Sequence, residues 1–454
     1  MKNGWKLKEK GVIYMKRITK KIIILAMTWT FLLGGSSIST AEAASSLDVF
    51  KDVSGHWAKS QIEEAVAKGY VAGYPNGTFK PDAPVTRAQF ITMLVRALGL
   101  EHAPEGSTWY TTYVKAAKEA AIYQGDADFA EWNMNKEISR EHMAWLAVRA
   151  ADETLVTVES SGIVKEVEIY RWPEVPENNV ARTDEFMRDY YEGFLTHTAF
   201  ARGILNGFGG NVIGLERTTT RAQAVTVIER VLSLKAGKKL SADKYATAEA
   251  ELLWLKTNVF TMAPHLFDDP NGSSMKKKYN LESLVFKNNV IHTEIQRIIL
   301  IDLDDQKDPY RKLLPETKKL GFRNGNIGKV PDDAYALYIE YETFSNKNPR
   351  QYWGNVSLTT QSYDSFKGEF TQAFRLNTND SNFEDINMIQ PSESGVGKGI
   401  TVWGIPNSGF SLYKSKGTNN KDRGLSFNFY VKPVFGEDEI YNFIFTGSTT
   451  HYSK

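Results

Sequence analysis

Cysteine is absent from the 454-residue chain, which removes disulfides, thiolate-bound zinc and cysteine nucleophiles together. Export without oxidative stapling remains permitted. An excess of charge of one sign is also missing. With 55 Lys and Arg against 54 Asp and Glu, the formal net charge is +1, so no bulk positive field favours nucleic acid. A composition 42% hydrophobic and 24% charged excludes a polytopic membrane protein and a wholly disordered chain. Long apolar runs are scarce. The clearest, Ile22 to Leu33, spans about twelve residues where a membrane helix needs about twenty. It follows Lys16, Arg17, Lys20 and Lys21 and leads into small residues ending at Ala41-Glu42-Ala43, the basic, apolar, small order of an export signal. We therefore expect a signal peptide over 1–43 and a secreted chain with no membrane contact after cleavage. Met1 to Tyr14 add Lys2, Lys6, Lys8 and Lys10, so either the basic region is long or translation starts at Met15.

What the chain does contain is repetition. Thr86-Arg87-Ala88-Gln89 returns as Thr220-Arg221-Ala222-Gln223, a displacement of 134. The match runs upstream without a gap: Ala65 to Gly69 falls on Ala199 to Gly203, Gly73 on Gly207, Tyr74 on Phe208 and Trp57 on Tyr191. A third, more eroded copy lies between them, where Trp109, Ala117 and Gly125 answer Trp57, Ala65 and Gly73, and Ser139-Arg140-Glu141-His142 answers the tetrad. Each copy reads as two helices. Ile62, Ala65, Val66 and Gly69 share one helical face, the Gly73 to Gly77 run turns the chain, and a second helix begins near Thr86 with Phe90, Ile91, Leu94 and Leu98 as its buried stripe. The corresponding stripes are Met143, Ala144, Ala147, Ala151 and Ala224, Val225, Ile228, Leu232. A two-helix unit cannot bury its apolar face alone, so three copies sharing a core are expected.

The first copy resembles the S-layer homology (SLH) family through Phe50-Lys51-Asp52-Val53, His56-Trp57-Ala58, the run Gly69 to Pro81, and the tetrad at Thr86. The third copy replaces Pro75-Asn76-Gly77 with Gly209-Gly210-Asn211, and the second lacks the Gly-Tyr-Pro-Asn-Gly loop. The resemblance covers residues 48 to about 234. It implies a pseudo-threefold α-helical anchor with repeats at 48–103, 104–155 and 182–234, and an insertion at 156–181 that reads equally as a small hairpin or a loop.

Thr86 with Gln89, and Thr220 with Gln223, fit a capping box. The arginine does not fit that explanation, because a cation in the first turn opposes the helix dipole by a few tenths to about 1 kcal/mol. Arg87, Arg140 and Arg221 with exposed first-turn amides would make positive sites for a carboxylate or phosphate. The alternative is that each arginine pairs with an internal acid, such as Asp52 or Asp82 in the first copy. SLH anchors bind the anionic, often pyruvylated, secondary polysaccharide of Gram-positive walls. The resemblance thus implies a ligand set of Arg87, Arg140, Arg221, Gly73, Gly125, Gly207, Asp52 and Trp57, with no metal or cofactor. For Trp57, Trp109 and Tyr191 core packing is the favoured role over sugar stacking. Gly73 and Gly207 are expected to supply positive φ.

Beyond an expected linker at 235–244, the reading is a β-rich domain over 245–454, giving an α+β multidomain chain. An amphipathic helix carries Tyr245, Ala248, Leu252 and Leu255. Alternating strands follow at Tyr335–Tyr341, Leu425–Val431 and Tyr441–Phe445, with turns at Asn324–Asn326, Gly395–Gly399 and Thr418–Asn420. A sandwich-like antiparallel sheet is the expectation. Strand alternation would set Asp302 and Asp304 side by side for calcium or acid/base chemistry, against the plainer reading of a solvated turn. His265 and His292 lack zinc-protease spacing. Trp353 and Trp403 suit a core better than a glycan platform. No catalytic constellation can be named, which favours a structural or interaction role for the sheet domain, with other surface proteins or further copies of itself as partners. The role the resemblance implies for the whole chain is attachment of a surface protein to cell-wall polysaccharide. A wall-tethered enzyme or glycan-binding module is the alternative.

Overall fold

The computed structural model describes residues 50–152, 184–267, 279, 281–314, 321–324, 326–329, 334–349, 352–361, 374–375, 395–406, 426–433 and 440–446. The expected signal peptide, the 156–181 insertion and the turn at Thr418–Asn420 lie outside those residues.

Six helices follow the repeat in pairs: α1 (Lys59–Ala67) with α2 (Arg87–Ala97), α3 (Thr111–Glu119) with α4 (Arg140–Ala151), and α5 (Asp184–Ala201) with α6 (Arg221–Lys235). Their starts are set by local chemistry. Thr86 accepts the Gln89 N–H while Gln89 Oε1 accepts the Thr86 N–H, and Thr220 with Gln223 does the same. Ser139 accepts from His142 N–H, but His142 turns its Nδ1 to the Ser139 hydroxyl at 2.8 Å instead of completing the box. The first helix of each pair ends at a left-handed residue, with φ of 77° at Gly69, 55° at Ala121 and 69° at Gly203. Nine of the twelve stripe residues of the second helices are buried, and Leu98, Ala151 and Leu232 pack partly buried against the same apolar cluster.

The short extended segments before α2, α4 and α6 close on one another. Val85 N–H donates to Thr219 O at 2.9 Å, Thr219 N–H to Ile138 O at 3.1 Å, and Ile138 N–H to Val85 O at 2.9 Å. The same exchange satisfies the helix starts. The first two amides of α2 donate to Lys136 O and Met134 O, those of α4 to Arg217 O and Leu215 O, and those of α6 to Ala83 O and Pro81 O. The expectation of exposed first-turn amides is therefore corrected: neighbouring carbonyls already occupy them, as buried donors require.

Helix α7 (Lys244–Leu255) follows, with Asp243 as its N-cap. It is buried on most sides, Leu253 being exposed, and packs against α5, where Gly193 faces the Trp254 ring. Glu251, fully buried, accepts the Phe260 N–H at 3.0 Å and the Thr261 hydroxyl, and so fixes the short helix α8 (Val259–Met262) beside it.

A five-stranded antiparallel sheet comes next, in the order β1 (Val285–Lys287), β2 (Ile291–Asp302), β5 (Ala334–Asn346), β8 (Gly397–Pro406), β7 (Phe374–Arg375). β6 (Tyr352–Gln361), β9 (Ser426–Pro433) and β10 (Ile440–Thr446) make a second sheet, and β3 (Gly321–Asn324) pairs with β4 (Asn326–Lys329) around the expected turn. In β5 the expected one-sided alternation fails, since Tyr335 to Ile339 are buried without interruption. This central strand is covered on both faces. The Gly395–Gly399 turn is also corrected. Gly397 to Gly399 begin β8, and Gly399 lies opposite Tyr341 so closely that an added Cβ would meet the ring at 2.1 Å.

Asp302 ends β2 and Asp304 lies past the strand, so they do not share a strand face. The Asp302 carboxylate accepts the amides of Asp304 and Asp305, as a turn carboxylate does. Asp308 is buried and accepts the amides of Asp302 and Tyr310, both at 2.8 Å. Tyr245 donates its hydroxyl to Asp305, which ties α7 to the turn. Trp403 packs partly buried against the core, whereas the Trp353 side chain lies outside the described residues. Among the described residues, no group of three His, Asp or Glu side chains is placed to hold a metal, and no helix is long and apolar enough to cross a membrane.

Candidate ligand site at three helix starts

Each helix-start arginine reaches into the loop of a different repeat. Arg87 lies over the Phe129 ring at 4.6 Å. Arg140 lies 4.8 Å from the Phe208 ring and donates from Nη2 to Asn206 O. Arg221 donates from Nε to Phe79 O at 2.9 Å and from Nη2 to Ala72 O at 3.0 Å, with its guanidinium 4.5 Å from the Phe79 ring. The loops concerned hold Gly125, Gly207 and Gly73 respectively. Each arginine therefore contacts a residue of the glycine-bearing loop of another repeat.

No carboxylate forms an ion pair with any of the three among the described residues, so the internal-acid alternative fails. Asp82 instead lies 3.4 Å from His56, and Asp52 accepts the Phe79 and Lys80 amides, both at 2.8 Å. Burial works to raise the Asp52 carboxyl, but those two amides bring it below its ordinary value. Asp52 still acts on Arg221 at a distance: burial lowers that guanidinium while Tyr74 and Asp52 oppose the shift. Burial lowers Arg87 as well, and its Nε and Nη1 are buried without a hydrogen-bond partner. Arg140 is 6% exposed with a buried, unpartnered Nε. Burial, then the charges of Arg230 and Arg217, push it down to about 10. An aromatic face offers a cation electrostatic support without cancelling its charge, so the ring contacts leave each guanidinium charged.

The expected core role fails for Trp57 and Trp109, which are 62% and 57% exposed, and holds for Tyr191, which is buried. Both tryptophans stand at the entry to a first helix. Trp57 pairs with His56 at 5.3 Å, and among the described residues no cation stacks on it. Gly73 and Gly207 do not have positive φ, which Gly125 does at 69°. Their requirement is space: a Cβ on Gly73 would lie 2.0 Å from Phe50 Cε1, and one on Gly207 3.1 Å from Ala246 Cβ.

Sequence reasoning missed a second layer of cations. Lys80 sits over Tyr74 at 4.4 Å, Lys136 over Trp132 at 5.4 Å and Arg217 over Phe208 at 4.5 Å, and all three rings are exposed. A signal existed, since Lys136 and Arg217 each stand four residues before the helix-start arginine.

Residues 49–91 match the family model of the S-layer homology domain. The cellulosome-anchoring protein of Acetivibrio thermocellus is 50% identical over 48 residues, which is 11% of each chain. The S-layer protein sap of Bacillus anthracis is 31% identical over 162 residues, 34% of this chain and 19% of that one. The amylopullulanase of Thermoanaerobacterium thermosulfurigenes is 28% identical over 195 residues, 40% of this chain and 9% of that one. The chain spans less than a fifth of the length of each of these relatives.

Proposed function

Because the chain carries an S-layer homology domain at residues 49–91, we propose that it attaches an exported protein non-covalently to the cell wall through an anionic, pyruvylated secondary polysaccharide. In this reading 104–155 and 182–234 are two further SLH units, the three form a pseudo-threefold anchor, and residues 245–454 are a sandwich-like domain displayed at the cell surface. The observation that carries the reading is the set of three guanidiniums, each set on an aromatic ring or backbone carbonyls of another repeat and none ion-paired to a carboxylate among the described residues. Relatives named as an S-layer protein and a cellulosome-anchoring protein support a surface location. A charged hydrogen bond contributes about 1.5 to 3 kcal/mol, so one site binds modestly. Several sites on one repetitive polymer raise avidity by about a hundredfold. The test is pelleting with purified wall polysaccharide. Arg87→Ala combined with Arg221→Ala should weaken it while helical circular dichroism persists, and undiminished pelleting of the folded double variant rejects the reading.

A second reading, a wall-tethered enzyme or glycan-binding module in 245–454, is favoured by relatives named as an amylopullulanase and an exoglucanase. Clearing of polysaccharide gels by the full chain, or its retention on a glycan array after loss of the arginines, would select it.

A further inference from the structure

The three helix-start arginines are not electrically equivalent. Arg221 has Asp52 within its field, and Arg87 has the Tyr123 hydroxyl and the His142 imidazole within its own. Around Arg140 the influences are Arg230 and Arg217, both positive. The three guanidiniums are graded in depth: Arg140 buried, Arg230 half-buried, Arg217 exposed. Two of them flank the exposed Phe208 ring, at 4.8 Å and 4.5 Å. Arg230 donates to Ile204 O at 3.2 Å, and Arg140 to Asn206 O, so these two are fixed by carbonyls that orient them and leave the charge in place. Asp243, whose carboxylate reaches this loop, is occupied by the amides of Gly207 and Ala246. Among the described residues no acid pairs with any of the three.

Three cations held about one loop and graded from buried to exposed, with an unpartnered Nε on the buried one, exceed what a single carboxylate needs. We infer that the Arg140, Arg217 and Arg230 site takes a multiply charged anionic group, a phosphate or a dicarboxylate carried on a sugar, with Arg217 and Arg230 as ligand-contacting residues. Neither added arginine belongs to the repeated tetrad. The inference deepens the anchoring reading and rests on it for the identity of the polymer. Guanidinium pairs suit it because their forked donors meet two oxygens at once.

Titration calorimetry on the full chain, with inorganic phosphate, malonate and acetate as separate probes, tests it. Phosphate or malonate should half-saturate at a concentration at least about tenfold below acetate, since each charged hydrogen bond is worth about that factor or more. Which of the two binds tighter separates a phosphate ester from a dicarboxylate source. Arg217→Gln and Arg230→Gln should each weaken the preferred probe about tenfold, and Arg230→Lys should restore part of the loss. Because Arg217 is exposed, its variant reports even where Arg230→Gln impairs folding. Equal affinity for acetate and both divalent probes, or indifference to Arg217→Gln, overturns the inference. Polysaccharide pelleting runs alongside: if the wild-type chain does not pellet, the anchoring reading fails while the anion titration still decides this site.

Discussion

Arg140 opens helix α4 and Arg149 closes it, and both are more than nine-tenths buried. At the closing end, Arg149 Nη1 donates to both Asp128 carboxylate oxygens at 2.8 Å and to Ile122 O at 3.1 Å. Burial works to lower it, but Asp128 and then Tyr191 raise it above its ordinary value. At the opening end Arg140 has a carbonyl, a ring and two like charges. Each leaves its Nε buried without a partner, so hydrogen-bond satisfaction does not separate them. Charge compensation does. Arg149 has its counter-ion with it in the core, and Arg140 has none among the described residues, at the cost of a lowered proton affinity.

Substitutions at the two ends should therefore diverge. Asp128→Ala strands the buried Arg149 charge and should cost about 3–5 kcal/mol in urea denaturation, whereas Arg140→Met removes an uncompensated charge and should change stability by less than about 1 kcal/mol. Comparable losses at both ends would break the contrast. A smaller effect sharpens it at the cap. Thr220→Ala removes both the hydroxyl acceptor and the reciprocal geometry at α6, for about 1 kcal/mol. Ser139→Ala at α4 should cost less, because its box is incomplete, as the same denaturation series will read.

The smallest effect is a pH dependence. Burial, then Arg87, hold the His142 imidazole below its ordinary 6.5, against a weaker pull from Asp128. Its rings of contact are Phe129 and Trp145. The unfolded chain binds a proton that the fold resists, so this contribution is present above about pH 6.5 and is lost as pH falls through the lower folded value. In His142→Gln the stability difference between about pH 7.5 and about pH 5 should shrink. An unchanged difference would remove His142 from the electrostatics of this site.

What could be read ahead of the structure was whatever chemistry is local. Thr86 to Gln89 is a box of adjacent residues, and the Phe90, Ile91, Leu94 stripe is a matter of period, so helix positions and core faces followed directly. The pairing of arginine with another repeat's loop did not, because Arg221 to Ala72 spans 149 residues and Arg140 to Asn206 spans 66. Arg87 could be named as a candidate but not assigned to Phe129. Trp57 misled because an aromatic at a helix entry has the same signature whether it turns inward or outward. In the sheet, Gly399 resembled a turn residue by composition. Its reason, the Tyr341 ring lying across it, belongs to a strand pairing over 58 residues.

The hydrogen bonds joining Val85, Ile138 and Thr219 run head to tail and return to their origin. An open stack of repeats can lose a terminal member and keep the rest, because each touches only its neighbours. A closed circuit has no terminal member. Cutting out any one segment leaves an orphaned donor and an orphaned acceptor facing each other across a gap, so this region should fold and unfold as a single event, and tension applied along the chain would be met by all three contacts at once.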